Sequence, residues 1–328
     1  MSTIAVSDSV KLAYDDSGPP ASNGQPYLTI FLVHGTIFYN KIYSKALALA
    51  PQYNLRLVAI NMRDYPGSTP NTEEELADLG SDDPQRQAKY IKSAALEIAT
   101  FAAKAVVALK LPALDKNTGK GGIAILGWSS GSLYTTALLA HAESLPAEEK
   151  DILARHLRTV ILFDPAWFPT GHVFPPAVLS APPGSPLYSP MRDMTITDGE
   201  RIAKFFAWFS GYFEPPITEM FPLASEEDIQ KAIAIHTARS PVGTPTLQRM
   251  TQADKGKVAD FSDRVKRSNQ MIRFTSKSVY KDNYVGAFTV ADDPSAVWPD
   301  VDVLVAWGQL SVFETSWVAS TIQDWLKN

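Results

Sequence analysis

The chain has 328 residues, 45% of them hydrophobic and 20% charged, a balance that excludes disordered, collagen-like and membrane-embedded classes and allows a full buried core. Thirty Lys and Arg against 35 Asp and Glu leave a net charge of -5, which weakly repels phosphate backbones and anionic lipid, so no nucleic-acid partner is expected. The absence of cysteine removes disulfide frameworks, thiolate metal sites and Cys nucleophiles.

The N-terminal MSTIAVSDSVKLAYDDSG shows no basic region followed by an apolar one, and no long apolar run follows, so no membrane span and a cytoplasmic setting are expected. Tyr27 to Gly35 is a continuous apolar run stopped by Gly, as a strand covered on both faces should be. Leu55 to Ile60 is a second, closed by the turn-rich RDYPGSTP. Between Gln85 and Lys110, Ile91, Ala94, Ala95, Ile98, Ala102, Ala105 and Leu109 recur at steps of three and four, which predicts a long helix entered at Pro84.

Gly121 to Gly127 reads as a third buried strand, SLYTTALLAHAESL as its helix, and Leu157 to Pro165 as a fourth strand. The alternation of strand and helix predicts a largely parallel α/β sheet. From Pro165 to Pro245 lie 13 of the 24 prolines, among aromatic stretches such as Phe205, Phe206, Trp208, Phe209, Tyr212 and Phe213. Proline opposes regular strand pairing, so this segment reads as an irregular helical insertion. Val301 to Gly308 resumes the strand pattern, and a last helix follows. The expected division is a core over 1–165, a proline-rich helical insertion over 166–295 and a return to the core over 296–328.

Gly127-Trp128-Ser129-Ser130-Gly131 matches G-x-S-x-G between a buried strand and a helix. Such a turn strains the Ser backbone, tolerates only small flanking residues and lifts the hydroxyl above the sheet edge at a helix N-terminus, where the dipole favours developing negative charge. The same residues also allow a glycine-rich turn with a capping Ser. His34-Gly35-Thr36 ends an earlier strand, with His34 read as a loop-bonding residue, and Arg63-Asp64-Tyr65-Pro66-Gly67-Ser68 reads as a structural turn.

These three motifs, in this order and at these strand ends, resemble the α/β-hydrolase superfamily, most closely its capped fungal members; the resemblance is good over 27–165 and holds for 301–328 as the seventh strand with its helix. It implies a mostly parallel sheet, a helical cap over residues 166–295 and a Ser–His–acid mechanism without cofactor or metal. Ser129 would be the nucleophile, and the amides of Thr36 and Ser130 the oxyanion donors. The family's acid follows the seventh strand, where Gly308-Gln309-Leu310-Ser311 carries Ser in place of Asp. Asp164, ending the preceding strand, is the expected acid, with a plain turn role as its alternative and Glu314 as a rival.

The family's histidine follows an eighth strand, and this strand is expected to be absent. The last of the five histidines is His236; His141 and His156 are expected to face solvent, and His172 and His236 to pack within the insertion. The expected function is an ester-type serine hydrolase acting on an apolar small molecule, lacking the usual histidine. The alternative is a non-catalytic small-molecule-binding protein of the same fold. A metal-dependent hydrolase finds no ligand cluster in the sequence.

Overall fold

A computed structural model of the chain describes residues 1–21, 25–289 and 297–327. It divides into two compact units, Met1–Phe163 with Phe168–Gly171 and Lys257–Val305, and Asp164–Trp167 with His172–Gly256 and Ala306–Asn328.

The main sheet has seven strands among the described residues: β1 (Ser2–Ala5), β2 (Lys11–Asp16), β3 (Leu28–Val33), β4 (Leu55–Asn61), β5 (Ile123–Trp128), β6 (Leu157–Phe163) and, later in the chain, a strand at Asp302–Ala306. Their order is β1-β2-β4-β3-β5-β6 and then Asp302–Ala306 at the edge, so no eighth strand extends it among the described residues. β3 is parallel to β4 and β5, and β5 is parallel to β6, while the β1–β2 and β2–β4 pairs are antiparallel. This is the mostly parallel α/β sheet expected from the sequence. The continuous apolar runs exist because both faces are covered: Phe31, Val33, Val58, Ala59, Ile60, Ile123 and Ile125 are all buried.

The long helix runs Pro84–Ala108, capped by Asp83, whose carboxylate accepts the Gln85 amide, with Pro84 in the first turn. Its predicted stripe is the buried one at Ile91, Ala95, Ile98, Ala102 and Ala105, while Ala94 and Leu109 are half-buried. Phe101 packs edge-on to Phe31 and Tyr14, fixing this helix to the sheet. The helix after β5, Gly131–Ala140, is buried from Gly131 to Leu138. It is covered because helices Pro84–Ala108 and Lys277–Thr289 both pack on it. Where the second of these crosses, Gly286 lies so near that a side-chain carbon would sit 3.0 Å from Ala140 Cβ.

The register decides where the chemistry-bearing turns fall. Val33 pairs with Ile60 and with Gly127, and Trp128 pairs with Phe163, so β3 to β6 end together at one edge of the sheet. In an open parallel sheet that carboxyl edge is where ligands are handled.

The second unit is helical and aromatic. Helix Asp198–Phe209 starts at a capping box between Thr197 and Glu200, helix Glu226–Thr237 is capped by Ser225, and the C-terminal helix is Phe313–Lys327. Phe174, Val178, Leu187, Ala232, Phe313 and Trp317 form its core. Proline did not abolish pairing here: β7 (Tyr212–Glu214) and β8 (Ser240–Val242) form a ribbon in which Pro241 faces Phe213. In a two-stranded ribbon each strand is an edge, and one missing N–H is tolerated. With these two labels, the edge strand Asp302–Ala306 of the main sheet is β9.

Candidate active site

Ser129 follows β5 with φ 54°, a left-handed conformation that costs a non-glycine residue of the order of 1–3 kcal/mol. Three glycines make the turn possible. A Cβ on Gly127 would lie 2.6 Å from the Gly131 carbonyl oxygen, and one on Gly131 would lie 2.6 Å from the Val33 and 2.8 Å from the His34 carbonyl oxygens. On the facing loop, a Cβ on Gly35 would lie 3.0 Å from Ser129 Cβ. The turn is tied from both sides: the Ser129 amide donates to the Phe163 carbonyl at 3.0 Å, and its carbonyl accepts the Ser132 hydroxyl at 2.6 Å. Within the first unit the half-buried Ser129 hydroxyl carries no hydrogen bond.

Thr36, next to Gly35 on the facing loop, and Ser130, next to Ser129, touch, the Thr36 hydroxyl donating to Ser130 Oγ at 2.8 Å. Among the described residues neither backbone N–H donates a hydrogen bond. Two unengaged amides beside a strained serine can stabilise negative charge on an oxygen of a group that bonds to Ser129 Oγ.

His34 is fully buried and holds the strand ends together: its Nδ1 bonds the Gly35 carbonyl at 3.0 Å and its Nε2 accepts the Met62 amide at 3.2 Å. Burial pushes it down to about 4, so it stays neutral in this bridging role. Of the turn after β4, Arg63, Asp64, Tyr65 and Ser68 are buried, while Pro66 and Gly67 are exposed. Arg63 binds Glu75 through two bonds of 2.5 and 2.7 Å, reaches Glu97 at 3.2 Å and donates to the Thr69 and Pro70 carbonyls. Burial is the first cause that raises Glu97 to about 7, against the pull of Arg63. Asp64, with φ 72°, accepts both the amide and the side-chain nitrogen of Asn71.

Asp164 belongs to the second unit and has φ 42°. Its amide donates to the Ala306 carbonyl at 2.8 Å, and its carboxylate accepts the Gly308 amide at 2.8 Å and the Ser311 hydroxyl at 3.1 Å. Burial raises its carboxyl above the ordinary value, opposed by those two donors. Ser311, standing where the sequence pattern leads us to expect an acid, is thus a hydrogen-bond donor to Asp164. That role was not visible in the sequence; the only signal was a serine out of place. Glu314 accepts from Arg192, whose guanidinium lies over the Phe174 and Phe313 rings.

The remaining histidines are placed as follows. His141 is half-buried and bonds the Asn283 side chain at 2.9 Å. His156 is 9% exposed and bonds the Ile152 carbonyl at 2.7 Å, so it does not face solvent; it ends the helix Ala147–His156, where its ring folds back onto the preceding turn. In the second unit His172 lies against Trp167 and Trp325. His236 is fully buried among Phe221, Phe313 and Trp317, and neither ring nitrogen has a hydrogen-bond partner.

That cage gives a pH dependence. Burial first, and then Arg239, lower His236 from 6.5 to about 3. The unfolded chain therefore binds more protons between these values, so stability is whole above pH 6.5 and falls as pH drops toward 3. At pH 5 the loss is about 2 kcal/mol. His236→Phe should flatten this slope in urea denaturation measured from pH 7 to 4.5; an unchanged slope would show that His236 is not buried neutral.

Among the described residues no group of three or more metal-binding side chains comes together, and no helix is long and apolar enough to cross a membrane. The strand order and the turn at Ser129 are those of the α/β-hydrolase fold. No family model and no curated protein matches the chain. Among solved structures it is similar to a bromoperoxidase from Bacillus anthracis, at 10% identity over 99% of this chain and 96% of that one, with a TM-score of 0.42. It is also similar to an esterase from Exiguobacterium antarcticum, at 12% identity over 99% of both chains and a TM-score of 0.40. A third is a hydrolase from Pseudomonas aeruginosa, at 13% identity over 99% of this chain and 97% of that one, with a TM-score of 0.34.

Proposed function

We propose that the chain is a serine hydrolase of the carboxylic ester type, with Ser129 as nucleophile and the Thr36 and Ser130 amides as oxyanion donors. The observation that carries this reading is Ser129 at φ 54° with the N–H groups of Ser130 and of Thr36 on the facing loop unengaged among the described residues, on a turn that three glycines make possible. Ser129 Oγ adds to the ester carbonyl carbon while its proton passes to a base, and the carbonyl electron pair moves to the oxygen facing the two amides. Collapse expels the alcohol and leaves an acyl-serine, which water hydrolyses by the same route. The mechanism uses no cofactor and no nucleic acid, and it suits the cytoplasmic setting expected from the sequence. The proline-rich insertion is proposed as the cap of the family pattern, and a small apolar molecule as the substrate.

Asp164 is proposed as the carboxylate that orients the general base. The three histidines of the first unit are committed elsewhere: His34 to two backbone groups, His141 to Asn283 and His156 to Ile152. The partners of Asp164 are an amide and a hydroxyl rather than an imidazole. This favours a second reading, a binding protein that holds an apolar small molecule above an unactivated serine.

Hydrolysis of p-nitrophenyl acetate, butyrate and octanoate separates the two. The first reading expects turnover that vanishes in Ser129→Ala, at a level set by the oxyanion donors and binding, on the order of 10³ to 10⁴ over water. Saturable binding of the octanoate without turnover supports the second reading. Wild-type turnover retained in Ser129→Ala removes the assignment of Ser129.

A further inference from the structure

The loop that carries Thr36 is strained at its next residue. Ile37 has φ 71°, a region that a β-branched side chain enters only under constraint. The constraint comes from far along the chain. The Ile37 amide donates to Tyr65 Oη at 3.0 Å, and its carbonyl accepts the Asp260 amide at 2.9 Å. Phe38 faces Ala259 in an antiparallel bridge, and the Tyr39 amide donates to the Val258 carbonyl at 3.2 Å. Tyr65 is 4% exposed, with its ring edge-on to His34 at 4.2 Å. Its hydroxyl also accepts from Asn269 Nδ2 at 3.0 Å, and that same nitrogen donates to the Val265 carbonyl at 2.6 Å within helix Asp263–Phe274. All of these residues lie in the first unit.

We propose that the Tyr65–Asn269 pair and the 258–260 bridge position the Thr36 amide for a tetrahedral anion, which makes Tyr65 and Asn269 positioning residues of the site; the proposal rests on the reading of Ser129, Thr36 and Ser130 given above. The Ile37 amide is held by a phenol that is itself held by a helix some 230 residues further along the chain, a distance read from positions 37 and 269. Without the phenol oxygen this N–H would be buried and unpaired, and Ile37 would relax toward negative φ. Such a relaxation turns the Thr36–Ile37 peptide and carries the Thr36 amide away from Ser129. A strut of this kind acts on the anion-bearing state and leaves the binding of a planar ligand alone.

The test uses the full chain and two variants, Tyr65→Phe and Asn269→Leu, the second guarding against a folding failure of the first. Amide hydrogen exchange reads the loop, and binding of phenylboronic acid reads the site: Ser129 Oγ bonds to boron, its proton goes to solvent, and the boron becomes a tetrahedral anion. Each variant is expected to exchange about tenfold faster at residues 37 and 39 and to lose about tenfold in boronate affinity, with exchange in β3 and β4 and binding of methyl benzoate unchanged. A wild-type chain that forms no boronate adduct at Ser129 overturns the reading of the site, whatever the loop does. A wild-type adduct matched by both variants in affinity and in loop exchange overturns the positioning role.

Discussion

Gly131→Ala is expected to destabilise the chain by about 3 kcal/mol or more and to abolish modification of Ser129. Gly131 opens a helix, where glycine-to-alanine replacement ordinarily stabilises by about 1 kcal/mol. Here the added carbon would lie 2.6 Å from one backbone oxygen of β3 and 2.8 Å from the next, and backbone cannot swing aside as a flexible side chain can. Either β3 and the helix separate or the turn opens, and both move Ser129 away from the Thr36 amide. Gly127→Ala meets the backbone of Gly131 and Ser132 at 2.6–2.7 Å and should behave alike. Urea denaturation reads the stability, and intact mass after treatment with a serine-directed fluorophosphonate reads the site. A stabilised Gly131→Ala chain would show that the helix does not approach β3 as described.

Arg63→Met is expected to cost about 3–5 kcal/mol without touching the serine. The Arg63 side chain is 8% exposed and satisfies two carboxylates and two carbonyls at once. Methionine fills part of the volume and leaves Glu75, Glu97 and the Thr69 and Pro70 carbonyls without their donor, and Glu97, already raised to about 7 by burial, would hold its proton more tightly still. The double variant Arg63→Met, Glu97→Leu should recover part of the loss, because removing both charged partners relieves the uncompensated one. Denaturation midpoints at pH 7 for the two singles and the double variant decide this, and additive losses would mean that the pair is not coupled.

The strands and the strained turn at Ser129 were legible because each is a local pattern. Continuous apolar runs mark strands covered on both faces, and Gly127, Ser129 and Gly131 mark a turn whose steric demands lie within five residues. The stripe of helix Pro84–Ala108 was legible for the same reason, from its spacing alone. What the sequence hid depends on partners distant in the chain. His156 was expected at the surface but is buried, since nothing local shows that the ring folds back on Ile152. Pro241 argued against a strand, and a two-stranded ribbon accommodates it. Ser311 looked like a missing acid and is a donor to Asp164. Ile37 looked like an ordinary loop residue, and its strained backbone is intelligible only with Tyr65, Asp260 and Asn269 in place.

The central claim is that Ser129 is a built nucleophile turn whose hydroxyl receives no base from the first unit. The most direct measurement is the rate of fluorophosphonate modification of the wild-type chain and Ser129→Ala, followed by intact mass with imidazole added in steps. The phosphonyl group should appear slowly, at Ser129 alone, and faster in proportion to free imidazole, because a base in solution then takes the proton that no side chain of the first unit takes. Ser129→Ala should stay unmodified at every imidazole concentration. Rapid modification of Ser129 that added imidazole does not accelerate, and that is lost when His34, His141 or His156 is replaced, would contradict the claim by revealing a base within the first unit, and equal modification of wild type and Ser129→Ala would contradict the assignment of the nucleophile itself.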